Sequence, residues 1–305
     1  MTDMRAGRFF SYAQNLEDYH LALLLADVER GFYIDVGGGH AVADNVSFWF
    51  YEKGWRGIVV EPQATIAAAY RIVRPRDVTV EALCGAEAGE AVLFQAERFH
   101  GLSTTVKANA EAAGAAGVAT VERRLPVTTL KDLATAHAPG AIDFLKIDVE
   151  GAEASVLAGN DWTRIRPRVV VVEAVAPWTM ADRSADFAPI LTANGYRDVW
   201  FDGLNRFYLA EEEMHRASRL PKEPTPWDAV LHLGEYGPAH RDTGHPDHAL
   251  AIRLDPDPLG RLAVMDEAEL GPRLPAGLAP GDEATRAALA RIATMFDGGY
   301  VVEEG

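Results

Sequence analysis

The chain has 305 residues, of which 48% are hydrophobic, which is enough for one large domain or for a domain with an appended segment. We expect no membrane-spanning segment and no signal peptide, because no stretch is apolar for long enough and the first residues lack an apolar run. The single cysteine, Cys84, excludes an intrachain disulfide and favours a cytoplasmic protein. The formal net charge of −16 opposes nucleic acid or an anionic membrane as a partner.

Short runs rich in Val and Ile alternate with helical patterns along the N-terminal two thirds of the chain. The sequence predicts strands over residues 31–36, 57–61, 78–83, 142–149 and 169–174. It predicts helices over residues 65–73 and 152–158, whereas the Ala- and Gly-rich stretch 108–119 could be a helix or a mobile loop. Strands that are apolar on both faces and alternate with helices indicate a doubly wound, mostly parallel α/β sheet with helices on each side.

An antiparallel hairpin is predicted near the end of this alternation. Residues 196–200 and 206–210 have the composition of strands, and Asp202-Gly203 between them is a turn signal. Such a pair commonly closes an otherwise parallel sheet. We therefore expect one domain over residues 1–220.

The regular pattern weakens after residue 220. Residues 221–226 hold three prolines, which oppose regular structure and indicate a linker. One further helix is predicted over residues 283–296, because its apolar positions lie roughly on one face. We interpret residues 221–305 as a Pro-rich linker and an irregular, partly helical C-terminal extension, which offers a surface for homo-oligomer formation.

The first predicted strand contains Asp35 and runs into a turn of three glycines, Gly37, Gly38 and Gly39. Glycine lets the backbone turn sharply and approach a ligand closely, because it has no Cβ. The carboxyl end of a parallel strand is also where α/β proteins bind nucleotides. The turn is therefore a candidate nucleotide site.

Two further residues indicate which nucleotide would bind. A dinucleotide fingerprint needs a small residue where this chain has Val42, and the charge of Asp35 suits an ammonium and a sulfonium group better than a pyrophosphate. The second predicted strand ends in Glu61, whose carboxylate suits the two hydroxyls of a ribose. These residues favour S-adenosylmethionine over NAD.

Acidic residues gather at the ends of two later strands. Asp148 lies at the carboxyl end of the strand at 142–149, with Glu150 just after it and Glu173 at the end of the next strand. Such carboxylates could accept the proton of a substrate hydroxyl, with Asp148 as first candidate and Glu150 and Glu173 next. Alternatively, Asp148 and Glu173 could hold a hard divalent cation such as Mg²⁺. Lys146, on the same strand face as Asp148, could instead neutralise that carboxylate.

His40 follows the glycine turn directly and is an alternative general base, since an imidazole titrates near neutral pH. A histidine beside a cleft is also often a polar lining residue. The sequence leaves both interpretations of His40 open.

Several motifs, taken in order, resemble the FkbM family of methyltransferases over roughly residues 9–210. They are SYAQNLED at 11–18, FYIDVGGG at 32–39, GWRG at 54–57, VEP at 60–62, LSTT at 102–105, VTTL at 127–130 and KIDVEGAE at 146–153. The resemblance implies a class I methyltransferase fold with a Rossmann-like sheet, in which residues 1–220 form the methyltransferase domain and an N-terminal helix caps the pocket. It also implies methyl transfer from S-adenosylmethionine, usually to a hydroxyl of a sugar, a glycan or a secondary metabolite.

The resemblance also implies a set of cofactor-binding residues. Asp35, Gly37 and Gly39 would line the methionine part, Glu61 would hold the ribose, Ala82 and Cys84 would lie near the adenine, and the segment of Gln14 and Asn15 would help to close the pocket. The full expected set is Gln14, Asn15, Asp35, Gly37, Gly38, Gly39, Glu61, Pro62, Ala82 and Cys84.

Two other functions remain open from the residues alone. One is a nicotinamide-dependent oxidoreductase, which Val42 and Asp35 oppose. The other is a catalytically idle module that binds the cofactor or assembles with partners through residues 227–305. We expect an O-methyltransferase whose partner is a small-molecule or glycan acceptor.

Overall fold

The computed structural model describes residues 9–96, 100–176, 179–221, 230–233, 243–244, 247–252, 267–274 and 276–293. The strands are β1 (Phe9–Ser11), β2 (Phe32–Val36), β3 (Arg56–Val60), β4 (Val78–Val80), β5 (Leu83–Cys84), β6 (Gly89–Ala96), β7 (Thr120–Thr128), β8 (Phe144–Ile147), β9 (Val169–Glu173), β10 (Tyr196–Phe201), β11 (Asn205–Ala210) and β12 (Val230–His232). The α-helices are α1 (Glu17–Leu24), α2 (Phe48–Glu52), α3 (Ala64–Val73), α4 (Lys107–Ala115), α5 (Leu130–His137), α6 (Glu153–Ala158), α7 (Ala188–Ala193), α8 (His248–Ala251), α9 (Glu267–Leu270) and α10 (Glu283–Ala293). Short 3-10 helices cover His100–Leu102, Ser184–Asp186, Glu211–Arg219 and Gly271–Arg273.

Seven strands form the central sheet in the order β10-β11-β9-β8-β2-β3-β4. Strands β2, β3, β4, β8 and β9 are parallel, and β11 is antiparallel to both β9 and β10. The expected doubly wound, mostly parallel sheet with a C-terminal antiparallel hairpin is confirmed. The class I methyltransferase architecture expected from the motifs is thereby confirmed as well.

The two faces of the sheet bury separate apolar clusters. Alternate residues of each strand point to opposite faces, so Tyr33 and Phe144 join one cluster and Ile34 and Leu145 join the other. Residues 169–172 are four consecutive valines, each with 0% exposure, because β9 is covered on both faces. The continuous apolar runs in the sequence follow from this two-sided burial.

The strand register brings four strand ends into one row. Val36 pairs with Val60 on one side and with Ile147 on the other, and Ile147 pairs with Val172. The residues that follow these four are Gly37, Glu61, Asp148 and Glu173. Residues far apart in sequence therefore meet at the carboxyl edge of the sheet.

A second, three-stranded sheet lies outside the sequence predictions. Its order is β5-β7-β6, with β6 and β7 antiparallel over eight residue pairs from Gly89↔Val127 to Ala96↔Thr120. The predicted strand 78–83 is divided, because β4 belongs to the central sheet and Leu83 begins β5 in the second one. The stretch 108–119 forms helix α4 over most of its length, ending at Ala115.

The described parts of the C-terminal region pack on the sheet domain. β12 pairs in parallel with β1, and Arg286 of α10 donates to the carbonyl of Ile72 in α3 at 3.4 Å. The predicted helix over 283–296 is described as far as Ala293, and most of the predicted linker lies outside the described residues. The division of the chain at residue 220 stays a prediction. Among the described residues, no helix has the length and apolarity needed to cross a membrane.

Candidate active site

A cavity of about 360 Å³ opens at the carboxyl edge of the central sheet. It is bounded by the glycine turn and by the ends of β3, β8 and β9, where the register places them. Most residues expected at the site line it: Gln14, Gly37, Gly38, Gly39, His40, Glu61, Pro62, Ala82, Cys84, Asp148, Glu150 and Glu173. Asp35 and Asn15 do not line it.

The glycine turn adopts backbone angles that favour glycine. Gly37 has φ +76° and Gly39 has φ +58°. A Cβ on Gly37 would lie 1.7 Å from the carbonyl oxygen of Asp148, so no side chain fits where the turn meets β8. Gly37 therefore allows the turn to pack directly against the strand that carries the acidic residues.

The amides of the turn are already paired inside the protein. Gly37 and Gly38 donate to the carbonyl of Val60 at 3.0 and 3.3 Å, and Gly39 donates to Glu61 Oε2 at 3.0 Å. The next helix begins only at Phe48, so no helix N-terminus follows the turn closely. A dinucleotide pyrophosphate relies on such amides and such a helix. This geometry opposes the NAD alternative.

Glu61 is held rigidly at the rim of the cavity. It is 3% exposed, and its two carboxylate oxygens accept hydrogen bonds from the amides of Gly39 and Gln63, the latter at 2.8 Å. Burial raises the pKa of Glu61 to about 7. Each oxygen has a second lone pair, so the carboxylate can still accept a ligand hydroxyl.

Asp35 lies outside the cavity, within the protein core. It is 1% exposed, its Oδ2 accepts from the Ser47 hydroxyl at 2.5 Å, and its Oδ1 lies 3.8 Å from Lys146 Nζ. Burial raises the pKa of Asp35 above its usual value. The structure therefore places Asp35 where it contacts Lys146, a residue of the cavity wall, without lining the cavity itself.

Lys146 joins the turn to the candidate base. Its side chain is 7% exposed, and Nζ donates to the carbonyl of Gly37 and to Asp148 Oδ2, both at 3.1 Å. The ion pair that the sequence predicts between Lys146 and Asp148 is therefore present. The pairing leaves Asp148 half-buried beside the cavity, where it can still contact an acceptor.

Three carboxyl groups converge on one side of the cavity. Oxygens of Asp148, Glu150 and Glu173 lie within 4.8 Å of one another. Burial, together with the neighbouring charge of Asp148, raises the pKa of Glu150 to about 8 and that of Glu173 to about 11. The hydrogen bond between the Glu173 and Asp148 carboxyl groups requires a proton on one of them, and the raised pKa of Glu173 favours Glu173 as the group that carries it.

Residues that the sequence analysis missed hold Glu150 in place. Glu150 has φ +55°, an unusual backbone conformation for this residue type, and its carbonyl accepts from Thr104 Oγ1 and Asn109 Nδ2, each at 2.8 Å. Thr104 lies within the LSTT motif, so the sequence singled out this residue, but the motif did not indicate that Thr104 binds the Glu150 carbonyl. Glu153 accepts from the amide of Gly151 at 2.9 Å beside the start of α6.

The two ring nitrogens of His40 have different roles, since Nδ1 accepts hydrogen bonds and Nε2 carries the proton of the neutral ring. Its Nδ1 accepts from the amides of Val42 and Ala43 at 3.1 and 3.0 Å. The proton of a neutral ring then resides on Nε2, which leaves the ring without a basic nitrogen. The structure thus weakens His40 as a general base, although it lines the cavity as expected.

The N-terminal motif is tied to the hairpin at the other end of the sheet. Asn15 Nδ2 donates to the carbonyl of Asp202 at 2.8 Å, and Asn205 Nδ2 donates to Glu17 Oε1 at 2.7 Å. Burial raises the pKa of Glu17 to about 8. Asn15 therefore positions the segment from which Gln14 reaches the cavity.

The wall farther from the acidic residues is largely apolar. Ala82, Leu83 and Cys84 line it from the start of the second sheet, and burial raises the pKa of the Cys84 thiol to about 12, so this thiol is inert. The second sheet and the loop after it add residues that the sequence analysis did not assign to the site: Leu93, Gly101, Leu102, Ser103 and Thr105.

Comparison with known proteins adds an independent finding. A model of the methyltransferase FkbM domain matches residues 35–197, which is more than half of the chain. No curated protein matches significantly. A solved structure described as a candidate O-methyltransferase from Klebsiella pneumoniae is 16% identical over 65% of this chain and 80% of that chain, with a TM-score of 0.29. A likeness that weak supports no conclusion.

Proposed function

This chain belongs to the FkbM family of methyltransferases, and we propose that it transfers a methyl group from S-adenosylmethionine to a hydroxyl oxygen of a sugar, a glycan or a secondary metabolite. The observation that carries the proposal is the register of the sheet. It brings Glu61, the glycine turn and Asp148 around one cavity, so residues suited to hold the cofactor and a candidate base line the same space.

The residues present fit the cofactor. Glu61 offers carboxylate lone pairs to the ribose hydroxyls, the glycine turn leaves room for the methionine part, and Ala82 to Cys84 offer apolar surface to the adenine. The Asp148 carboxylate, which lines the cavity, suits the positively charged sulfur of the ligand. When bound, S-adenosylmethionine supplies a methyl group on a positively charged sulfur.

Asp148 is the residue that we assign as general base. An alcohol is a poor nucleophile, so its proton must leave as the new bond forms, and a carboxylate at the cavity wall can accept it. Lys146 orients Asp148 through the 3.1 Å ion pair. The remaining contribution is positioning of the hydroxyl in line with the methyl group.

A divalent cation is the alternative arrangement at the same residues. Three carboxyl groups with oxygens within 4.8 Å of one another are a ligand set suited to Mg²⁺ or Ca²⁺. The two arrangements separate in a methyl-transfer assay with EDTA. We expect full activity in EDTA; loss of activity that added Mg²⁺ restores would instead assign Asp148 and Glu173 as metal ligands.

Calorimetric titration tests the cofactor directly. The wild-type chain is expected to bind S-adenosylhomocysteine and not to bind NAD, and Glu61→Ala is expected to bind S-adenosylhomocysteine more weakly. Radiolabelled methyl transfer to a panel of hydroxylated acceptors then tests the reaction. If the wild type binds NAD and not S-adenosylhomocysteine, the proposal is overturned in favour of the hypothesis of a nicotinamide-dependent oxidoreductase.

A further inference from the structure

Two buried side chains hold the Gly38 carbonyl from the side away from the cavity. Asn45 Nδ2 donates to Gly38 O at 2.9 Å, and the Tyr70 hydroxyl donates to the same oxygen at 2.8 Å. The Asn45 Nδ2 also donates to the Tyr70 hydroxyl at 2.6 Å, so each donor orients the other. Asn45 is 1% exposed and Tyr70 is 0% exposed, so water cannot replace these bonds.

Arg74 fixes this pair. Its Nη1 donates to Asn45 Oδ1 at 2.9 Å, which sets the amide so that Nδ2 faces Gly38. Its guanidinium carbon lies 4.8 Å from the centroid of the Tyr70 ring. Asp77, 2.7 Å from the guanidinium, balances the buried charge. The donors to Gly38 are thus part of one rigid, charge-balanced network.

Tyr70 also occupies the space beside Gly38. A Cβ on Gly38 would lie 2.7 Å from the Tyr70 hydroxyl oxygen and 2.5 Å from Val59 Cγ1. The turn is therefore pressed against Tyr70 and Val59 on this side. One residue further, the Gly39 amide donates to Glu61 Oε2 at 3.0 Å. The position of the Gly38 peptide therefore sets how the turn meets Glu61.

From this geometry we propose that Tyr70 and Asn45 are positioning residues for the cofactor. They do not line the cavity, and they act by fixing the Gly38 carbonyl, which in turn holds the glycine turn and Glu61 at the separation that the ligand needs. The inference rests on the proposed function, since it assumes that S-adenosylmethionine occupies this cavity. It adds two residues that neither the motifs nor the cavity lining identifies.

The experiment compares two tyrosines that are matched in burial and that each donate to a backbone carbonyl. Tyr70→Phe removes the hydroxyl that donates to Gly38. Tyr196→Phe is the control, because Tyr196 is 1% exposed and its hydroxyl donates to the carbonyl of Pro167 at 2.6 Å, away from the cavity. Each variant loses one buried hydroxyl-to-carbonyl bond, and Tyr70→Phe also loses the bond accepted from Asn45 Nδ2, so its Tm is expected to fall somewhat further.

Affinity for S-adenosylhomocysteine is measured by calorimetry on each folded variant. Tyr70→Phe is expected to bind about tenfold more weakly than wild type, and Tyr196→Phe to bind as wild type. In turnover, Tyr70→Phe is expected to raise KM for S-adenosylmethionine with kcat largely retained, because the reacting groups are unchanged. Asn45→Asp, which replaces the donor by an oxygen of similar shape, is expected to weaken binding in the same way.

The possible results distinguish failure of the positioning role from failure of the proposed function. Wild-type affinity in Tyr70→Phe and Asn45→Asp overturns the positioning role and leaves the proposed function intact. Equal losses of affinity in Tyr70→Phe and Tyr196→Phe also overturn it, because they show a general effect of stability. If the wild type itself fails to bind S-adenosylhomocysteine, the proposed function falls and this inference falls with it.

Discussion

Lys146 Nζ lies 3.1 Å from the Asp148 carboxylate at the cavity wall, and the same ammonium lies 3.8 Å from Asp35 in the core. One buried cation therefore connects the candidate base to the carboxylate that precedes the glycine turn. Lys146 also donates to the Gly37 carbonyl, so a single side chain contacts the glycine turn, the candidate base and the buried Asp35.

Asp148→Asn is expected to abolish most catalysis and to leave cofactor binding nearly unchanged. The amide keeps the shape of the side chain but cannot take a proton, so kcat should fall by about 10²–10⁴-fold. Single-turnover methyl transfer and calorimetry with S-adenosylhomocysteine measure the two quantities. Glu87→Gln, at an exposed position that does not line the cavity, is the control. An unchanged kcat in Asp148→Asn would move the role of base to Glu150.

Lys146→Met is expected to lower the free energy of unfolding by about 3 kcal/mol, because Asp35 loses its nearest cation in a buried site. Urea unfolding at neutral pH measures the loss. The double variant Lys146→Met, Asp35→Asn should recover part of it, since the buried charge is removed as well. If the two substitutions are simply additive, the two side chains are not energetically coupled.

Gly37→Ala should be far more harmful than Gly54→Ala. Both glycines have positive φ, +76° and +88°, so alanine is strained at either position. The added Cβ would lie 1.7 Å from the Asp148 carbonyl oxygen at Gly37, whereas nothing lies within 4 Å at Gly54. We expect Gly37→Ala to lose binding of S-adenosylhomocysteine and more of its Tm, and Gly54→Ala to keep binding. Equal behaviour would contradict the close packing of turn and strand.

Affinity for S-adenosylhomocysteine is expected to fall as the pH drops below about 7, where the buried Glu61 takes up a proton. Ligand hydroxyls donate to the ionised carboxylate, so the ligand binds the deprotonated form of Glu61. At low pH, Glu61 must first release its proton, and this lowers the affinity. The fall should approach about tenfold per pH unit well below the pKa, and affinity should be level above it. Calorimetry from pH 5.5 to 8.5, covering about three pH units, checks this. Glu61→Gln should bind weakly with little dependence on pH.

Acceptors that carry an anionic group are expected to be poor substrates. Asp148, Glu150 and Glu173 face the cavity, and the lysine that lines it is already paired with Asp148. Above pH 8, where Glu150 is ionised, a phosphorylated acceptor should therefore show kcat/KM at least about tenfold below that of the parent alcohol, and an amino derivative should not be penalised. Glu150→Gln should narrow the difference. A preference for the phosphorylated acceptor would contradict the acidic character of this wall.

The sequence by itself determined the sheet and the residue types at its edge. Continuous Val- and Ile-rich runs exist because each strand is buried on both faces, and this local signal predicted β2, β3, β8 and β9 within a few residues. The same apolar runs also marked the candidate site residues, because each run ends at or just before a polar residue or a glycine. These residues are Gly37, Gly38, Gly39, Glu61 and Asp148. Their motif order was enough to identify the family.

Only the tertiary structure decided what each residue touches. Strand register depends on pairings between distant segments. It places Asp148 beside Gly37, and Asp35 is buried in the core. The second sheet was missed because no residue of β7 is fully buried, so the strand has no apolar run, and because it pairs with β6 from about thirty residues away. Arg74, Asn45 and Tyr70 carry no motif of their own, since their role arises from burial around a single carbonyl, and burial of that kind is a property of the folded chain.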